Sequence, residues 1–393
     1  MSPESLVPAI VLFCLAMGET YLLLRLIKID VPKDKFVPID GLRGVLAFCV
    51  FLHHSVIWYY CLRTGKWGGP PSRVYGHFGP GSVAMFFMIT AFLFYGKLLD
   101  ARIKGMDWGK LYMGRVRRIM PLYIFVILLV FIIVGVLSGF VLHTNLLHIM
   151  VQLTKWVFFI DADVNGVWGT KRIGAGVVWS LAYEWLFYCS LAIVGRVVYR
   201  IRTSVRVLIF SGLFFLLFLA IVWVYYPDSM LKRILCFAGG IAAAYLVRKD
   251  SVRKFCTRKW ASAVVLALTG VVFFPDMTYP TIFSTVISFI CMSLAFIMIA
   301  AGTDVFGLLS NRLTRYLGMV SYSLYLLHGM VLFVCFRWII GPEKAAAFSP
   351  EEYWVAIGGC ALTLVPLCSL TYYYIEKVGV RKKARATVVA AAQ

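Results

Sequence analysis

Charge is scarce in this chain of 393 residues: Asp, Glu, Lys and Arg make up 15% of it, against 61% hydrophobic residues. That ratio excludes a soluble globular domain and requires repeated membrane spans. Acidic residues are the scarcer sign, 18 against 39 Lys and Arg, which leaves a net charge of +21. Such an excess could serve nucleic-acid binding, but the basic residues lie in short runs between apolar segments, where membrane topology accounts for them, and no nucleic-acid partner is expected. The ten cysteines include no CxxC pair and no Cys/His spacing of the kind that holds a metal. They read as packing residues with free thiols, and no metal is expected. There is also no low-complexity tract, no sequence repeat and no polar stretch long enough for a separate soluble domain.

What is present is apolar helix. The hydrophobic segments predict an all-α, polytopic bundle of about eleven membrane spans, near residues 5–27, 44–61, 82–96, 119–140, 177–197, 205–226, 231–247, 261–274, 281–301, 317–339 and 354–375. No basic residue precedes the first span, so a retained helix is expected rather than a cleaved signal peptide. With the N-terminus outside and the C-terminus in the cytoplasm, 29 of the 39 Lys and Arg fall on the cytoplasmic side. That asymmetry is the positive-inside pattern. Between the fourth and fifth spans, LLHIMVQLTKWVFFI is apolar but interrupted by Lys155, which predicts an interfacial or re-entrant helix at the outer mouth.

Ionisable side chains inside spans are costly and mark candidate sites. The stretch PIDGLRGVLAFCVFLHHS, residues 38–55, carries Arg43 and, eleven positions on, His54. At 100° per residue the two return to nearly one helix face, while His53 points aside. His54 lies about 15 Å from the cytoplasmic end of its span, Glu184 roughly 10 Å from the outer end of another, and His328 about 16 Å from the inner end of a third. Three titratable groups at comparable depth predict one shared cavity. A neutral imidazole at mid-membrane with a carboxylate to orient it can take a proton from a hydroxyl or accept an acyl group, so His54 and Glu184 are the catalytic candidates. His328 reads either as a bundle contact or as a substrate-binding group. Arg115, Arg117 and Arg118 precede a span in RVRRIMPLY, where two readings stay open: anchoring at the cytoplasmic face, or a phosphate site.

In this order and spacing, the stretches resemble the acyltransferase 3 family, integral membrane enzymes that O-acylate sugars of bacterial surface polysaccharides and some small molecules. DGLRG with its Arg-x10-His interval falls on Arg43 and His54, R-x-x-R-I-x-P on Arg115, Arg118, Ile119 and Pro121, and W-S-L-x-x-E-x-x-F-Y on residues 179–188; SYSLYLLHG and YYIEK are similar to later signatures. In VAMFFMITAFLF, Ala84 stands where the family has an acid and Thr90-Ala91 where it has Ser-Gly. The resemblance implies a ten-helix acyltransferase domain over residues 36–381, an additional N-terminal helix within 1–35 and a cytoplasmic tail at 382–393. It also implies an acyl-CoA donor, usually acetyl-CoA, with its phosphates near Arg43, Arg115 and Arg118. Trp179, Tyr188 and His328 are then candidates for binding the acceptor, a surface glycan or lipid-linked sugar approaching from the outer mouth. The expected setting is a bacterial inner membrane. Two rival readings fit the same residues, a saccharide transporter and an acyltransferase acting on a cytosolic small molecule.

Overall fold

A computed structural model describes residues 2–27, 29–32, 35–228, 230–273 and 282–377, without the side chains of 282–285. Among the described residues there are fifteen α-helices and no strand. They are α1 (Leu6–Leu26), α2 (Val37–Thr64), α3 (Arg73–Lys104), α4 (Trp108–Leu137), α5 (Leu146–Val157), α6 (Trp179–Val197), α7 (Val205–Tyr225), α8 (Met230–Leu246), α9 (Asp250–Cys256), α10 (Ala261–Phe273), α11 (Ile282–Ala300), α12 (Arg312–Met319), α13 (Ser321–Val334), α14 (Pro342–Ala347) and α15 (Pro350–Thr371). Seven of these, α1 to α4, α7, and α13 and α15 with the short π-helical turns that extend them, are long and apolar enough to cross a membrane alone. An eighth span forms if α8 and α9, bent by 107°, are counted together. The helices α6, α10 and α11 coincide with the other three segments read from the sequence; α10 and residues 286–300 of α11 are apolar but shorter. The expected tail at 382–393 lies outside the described residues, as do Lys28 and Lys33.

Helix α2 is the central element, enclosed by α3, α12 and α13. Pro38 sits in its first turn, where a missing N–H costs nothing, with Asp40 against the positive helix end; Gly65 ends it in a left-handed conformation, φ 69°. The glycines of the DGLRG stretch have a packing reason. A Cβ on Gly41 would overlap the Leu309 carbonyl, one on Gly44 the Thr314 carbonyl, and one on Gly318 the Asp40 carbonyl. Backbone therefore meets backbone where α2 crosses α12, the close approach that small residues allow between membrane helices. A second such contact joins α8 to α3, where Gly240 faces the Met88 carbonyl.

The span read as 317–339 is not one rod: it comprises the end of α12, a break at Val320, α13, and a π-helical turn at Cys335–Ile339. Helix α12 is amphipathic, and its Arg312 donates to the Ile29 carbonyl at 2.8 Å while Arg315 donates to the carbonyls of Val31 and Pro32. Arginines that the charge count treats as plain cytoplasmic anchors thus fasten the α1–α2 connection. Outward, α7 exposes Ile209, Phe210, Leu213 and Phe214, side chains that belong against lipid.

Helix α5 is short and strongly one-sided, exposing Leu146, Leu147, Met150 and Val151 while burying Gln152 and Trp156. It runs back along α4, where Tyr123 bonds the Trp156 carbonyl at 2.5 Å. The loop after it is pinned by Tyr226, which donates to the Phe159 carbonyl at 2.7 Å and accepts from the Asp161 N–H at 3.1 Å. Burial pushes the Asp161 carboxyl up to about 7 despite Lys171 nearby, and its Oδ1 has no hydrogen-bond partner. An unfolded aspartate ionises near pH 3.9, so the folded chain holds a proton that the unfolded chain releases, and stability falls as pH rises from about 4 through about 7. Accordingly the thermal midpoint of the wild type should drop between about pH 5 and about pH 8, and Asp161→Asn should flatten that slope. Parallel slopes in the two proteins would contradict the buried acid.

Candidate active site

Two polar clusters stand on neighbouring turns of the bundle. The first is a cavity of about 310 Å³ between α2, α3, α4, α6 and α13. Four cationic side chains line it, Arg43, Lys97, Arg115 and Arg118, with Glu184 as the one carboxylate among its lining residues. Arg115 and Arg118 share a face of α4 because three residues separate them, whereas Arg117 turns outward and is exposed. Pro121 follows one turn later and removes a ladder hydrogen bond at that point. Arg115 lies over the Phe94 ring at 4.5 Å and near the Tyr188 ring at 5.9 Å. Beneath Arg43 and Arg118, within electrostatic reach, is Glu376, buried in the π-helical turn after α15 and accepting from Ser323. The Glu376 Oε2 and Ser321 Oγ atoms are buried without a partner, and Ser321 lines the cavity.

Glu184 is held on the cavity wall rather than beside a histidine. Its Oε1 accepts from Thr90 at 3.3 Å and from the Tyr188 hydroxyl. Thr90, which replaces the serine of the related motif, therefore still supplies a hydroxyl to this carboxylate. Trp179 is outside the cavity lining; it packs edge-on to Tyr183, centroids 5.8 Å apart, with the Arg233 guanidinium 4.0 Å above its ring.

The second cluster is a pair of imidazoles. His328 Nδ1 lies 3.1 Å from the Leu324 carbonyl one turn back, so that nitrogen carries the proton and Nε2 accepts. His54 Nδ1 lies 3.0 Å from the Val50 carbonyl and 3.1 Å from His328 Nε2, so it too is the protonated nitrogen. This tautomer leaves the His54 Nε2 lone pair to receive a proton. Trp67 stacks over His54 with centroids 6.4 Å apart. His53 is occupied differently: its Nδ1 donates to the Tyr75 carbonyl at 2.6 Å, and its ring fills the space that a side chain at Gly79 would need.

The structure thus brings Arg43, Arg115, Arg118, Glu184 and Tyr188 together and pairs His54 with His328. The hydrogen bonds give His54 a histidine, not Glu184, as its orienting partner. Between the clusters stands Tyr325, which lines the cavity and whose ring centroid is 6.3 Å from that of His328. Lys97 and Tyr325 are not singled out by sequence reasoning, since neither breaks the local pattern of its helix; Thr90, Ser180 and the buried Glu376 are visible there only as motif positions. Among the described residues no group of three or more His, Cys, Asp or Glu is placed to hold a metal.

Residues 37–373 match the family profile described as an acyltransferase domain, that of acyltransferase 3. The chain belongs to the acyltransferase 3 family. No curated protein and no solved structure matches it. As an acyltransferase 3 member it is a membrane acyltransferase, and its apolar helices place it within a lipid bilayer. A transferase of this kind needs a place for an acyl donor and a base for the group that receives the acyl unit. The basic cavity and the histidine pair are the two features of suitable chemistry.

Proposed function

We propose that the chain is an O-acyltransferase that moves an acyl group, acetyl in the first instance, from cytoplasmic acyl-CoA to a hydroxyl of a surface glycan or lipid-linked sugar. The observation that carries this reading is the convergence of Arg43, Lys97, Arg115 and Arg118 on one cavity a single helical turn from His54 and His328. Guanidinium groups in a fixed fork suit phosphate oxygens, and a bundle interior strengthens such bonds. The cavity is too small for a whole coenzyme A; it suits the pantetheine arm and the nearer phosphates, leaving the nucleotide at the rim. Positive-inside orientation, with the N-terminus outside, puts that rim in the cytoplasm of a bacterial inner membrane.

In the reaction, His54 Nε2 takes the proton of the acceptor hydroxyl as its oxygen attacks the thioester carbonyl. The C–O bond forms, the C–S bond breaks, and the departing thiolate takes the proton back from the imidazolium to leave as free thiol. His328 holds the tautomer, and Glu184 with Tyr188 hydrogen-bonds the donor arm or the acceptor at the cavity wall.

Titration of purified protein with coenzyme A and, separately, with free sugar tests the donor half of the account. Wild type should bind coenzyme A, and the double variant Arg115→Ala, Arg118→Ala should bind it at least about tenfold more weakly, the loss expected for charge-assisted hydrogen bonds. Sugar binding without coenzyme A binding would favour a transporter instead.

A further inference from the structure

Neither His54 nor His328 is among the residues that line the donor cavity. Tyr325 and His328 lie three residues apart on α13, so one helical turn, about 4.5 Å of rise, separates the cavity ceiling from the imidazoles. Tyr325 closes that step. Its hydroxyl donates to the Val177 carbonyl at 3.1 Å and accepts from Ser180 Oγ at 2.8 Å. Ser180 in turn bonds the same carbonyl at 3.0 Å, so the tyrosine is tied to the first turn of α6. On the cavity side its ring meets Phe86, centroids 6.2 Å apart, and on the other side it meets His328. The residue is only 8% exposed, and it lines the cavity.

We infer that Tyr325 is the gate between the donor cavity and His54, and that its ring sets the length of acyl chain the enzyme accepts. The inference rests on the proposed acyl-CoA reading. A thioester carried up from the arginines must displace this ring to reach the imidazole, which means breaking the bonds to Val177 and Ser180. An acetyl group needs little room beyond the carbonyl itself. A longer chain must lie where the Tyr325 and Phe86 rings now meet. The hydroxyl bonds latch the gate and the ring provides the bulk, so the two contributions are separable by substitution.

The test compares acetyl-CoA with hexanoyl-CoA as donors for reconstituted wild type, Tyr325→Phe, Tyr325→Leu and Phe86→Ala, reading kcat/KM for each thioester and acceptor-independent release of free thiol. Tyr325→Leu and Phe86→Ala should raise the hexanoyl-to-acetyl ratio about tenfold or more, in line with the worth of a few methylenes in a pocket. Tyr325→Phe keeps the ring, so its ratio should stay at the wild-type value while its acceptor-independent thiol release rises. A ratio unchanged in both enlarging variants, with acetyl turnover retained, would overturn the gate and leave the acyl-CoA reading standing. Should Tyr325→Leu fail to fold, Phe86→Ala and Tyr325→Phe decide the matter. Wild type that turns over neither thioester would overturn the acyl-CoA reading and the gate with it.

Discussion

Replacing His54 with alanine should lower acyl transfer by about three orders of magnitude, in protein that folds and still binds coenzyme A. On the proposed reading the imidazole accepts the hydroxyl proton, and removing a positioned general base costs about 10²–10⁴ in rate. Its Nε2 is available because Nδ1 is committed to the Val50 carbonyl and to His328 Nε2. His328→Ala should therefore cost less than His54→Ala, since the ring keeps its bond to Val50 and loses only one of two groups that fix the tautomer. His53→Ala should cost less again, because that ring serves the Tyr75 carbonyl and the surface of Gly79. Single-turnover release of thiol from acetyl-CoA measures all three. The order His54, His328, His53 is the expected result; a His53 variant as impaired as the His54 variant would contradict the assignment.

The second large effect is on folding. Gly318→Ala adds a methyl group that overlaps the Asp40 carbonyl, and neither partner is a flexible side chain that could move aside. Overpacking costs typically 1–3 kcal/mol, and a clash between two helix backbones sits at or above the top of that range, so about 3 kcal/mol or more is expected. Arg43 stands between Gly41, which meets the Leu309 carbonyl just before α12, and Gly44, which meets the Thr314 carbonyl within it, so the shift also moves the cavity wall. Gly18→Ala on α1, where a Cβ meets nothing within 4 Å, is the matched control and should melt with the wild type. Equal thermal midpoints for Gly318→Ala and Gly18→Ala in detergent would refute the close α2–α12 crossing.

Much of this architecture is legible in the sequence because lipid imposes a simple rule. Long apolar runs separated by basic loops return as helices almost segment by segment, and the Lys155-interrupted stretch returns as the one-sided helix α5. The arginine cluster is legible too, because the i, i+3 spacing of Arg115 and Arg118 puts both on the face that the cavity uses. Rise per residue places His54, Glu184 and His328 at similar heights, but height does not say which helices are neighbours. The His54–His328 bond joins positions 274 residues apart, and nothing local in either helix announces it. Glu184 shares their depth yet faces Thr90 and Tyr188 across a different gap. The break at Val320 is hidden for a related reason: α12 bends away so that Arg312 and Arg315 can reach the carbonyls of residues 29–32, a contact made by the tertiary fold.

The proposed donor site, acceptor site and catalytic histidine act in one reaction, and transfer of a labelled acyl group reports on all three at once. Proteoliposomes would receive acetyl-CoA carrying isotopic label in the acetyl group, together with a lipid-linked glycan, and mass spectrometry would follow the label. Labelled O-acetyl glycan and one free thiol per acetyl transferred, both lost in His54→Ala, is the result predicted here. Unlabelled glycan crossing the membrane at the same rate with and without acetyl-CoA would contradict it.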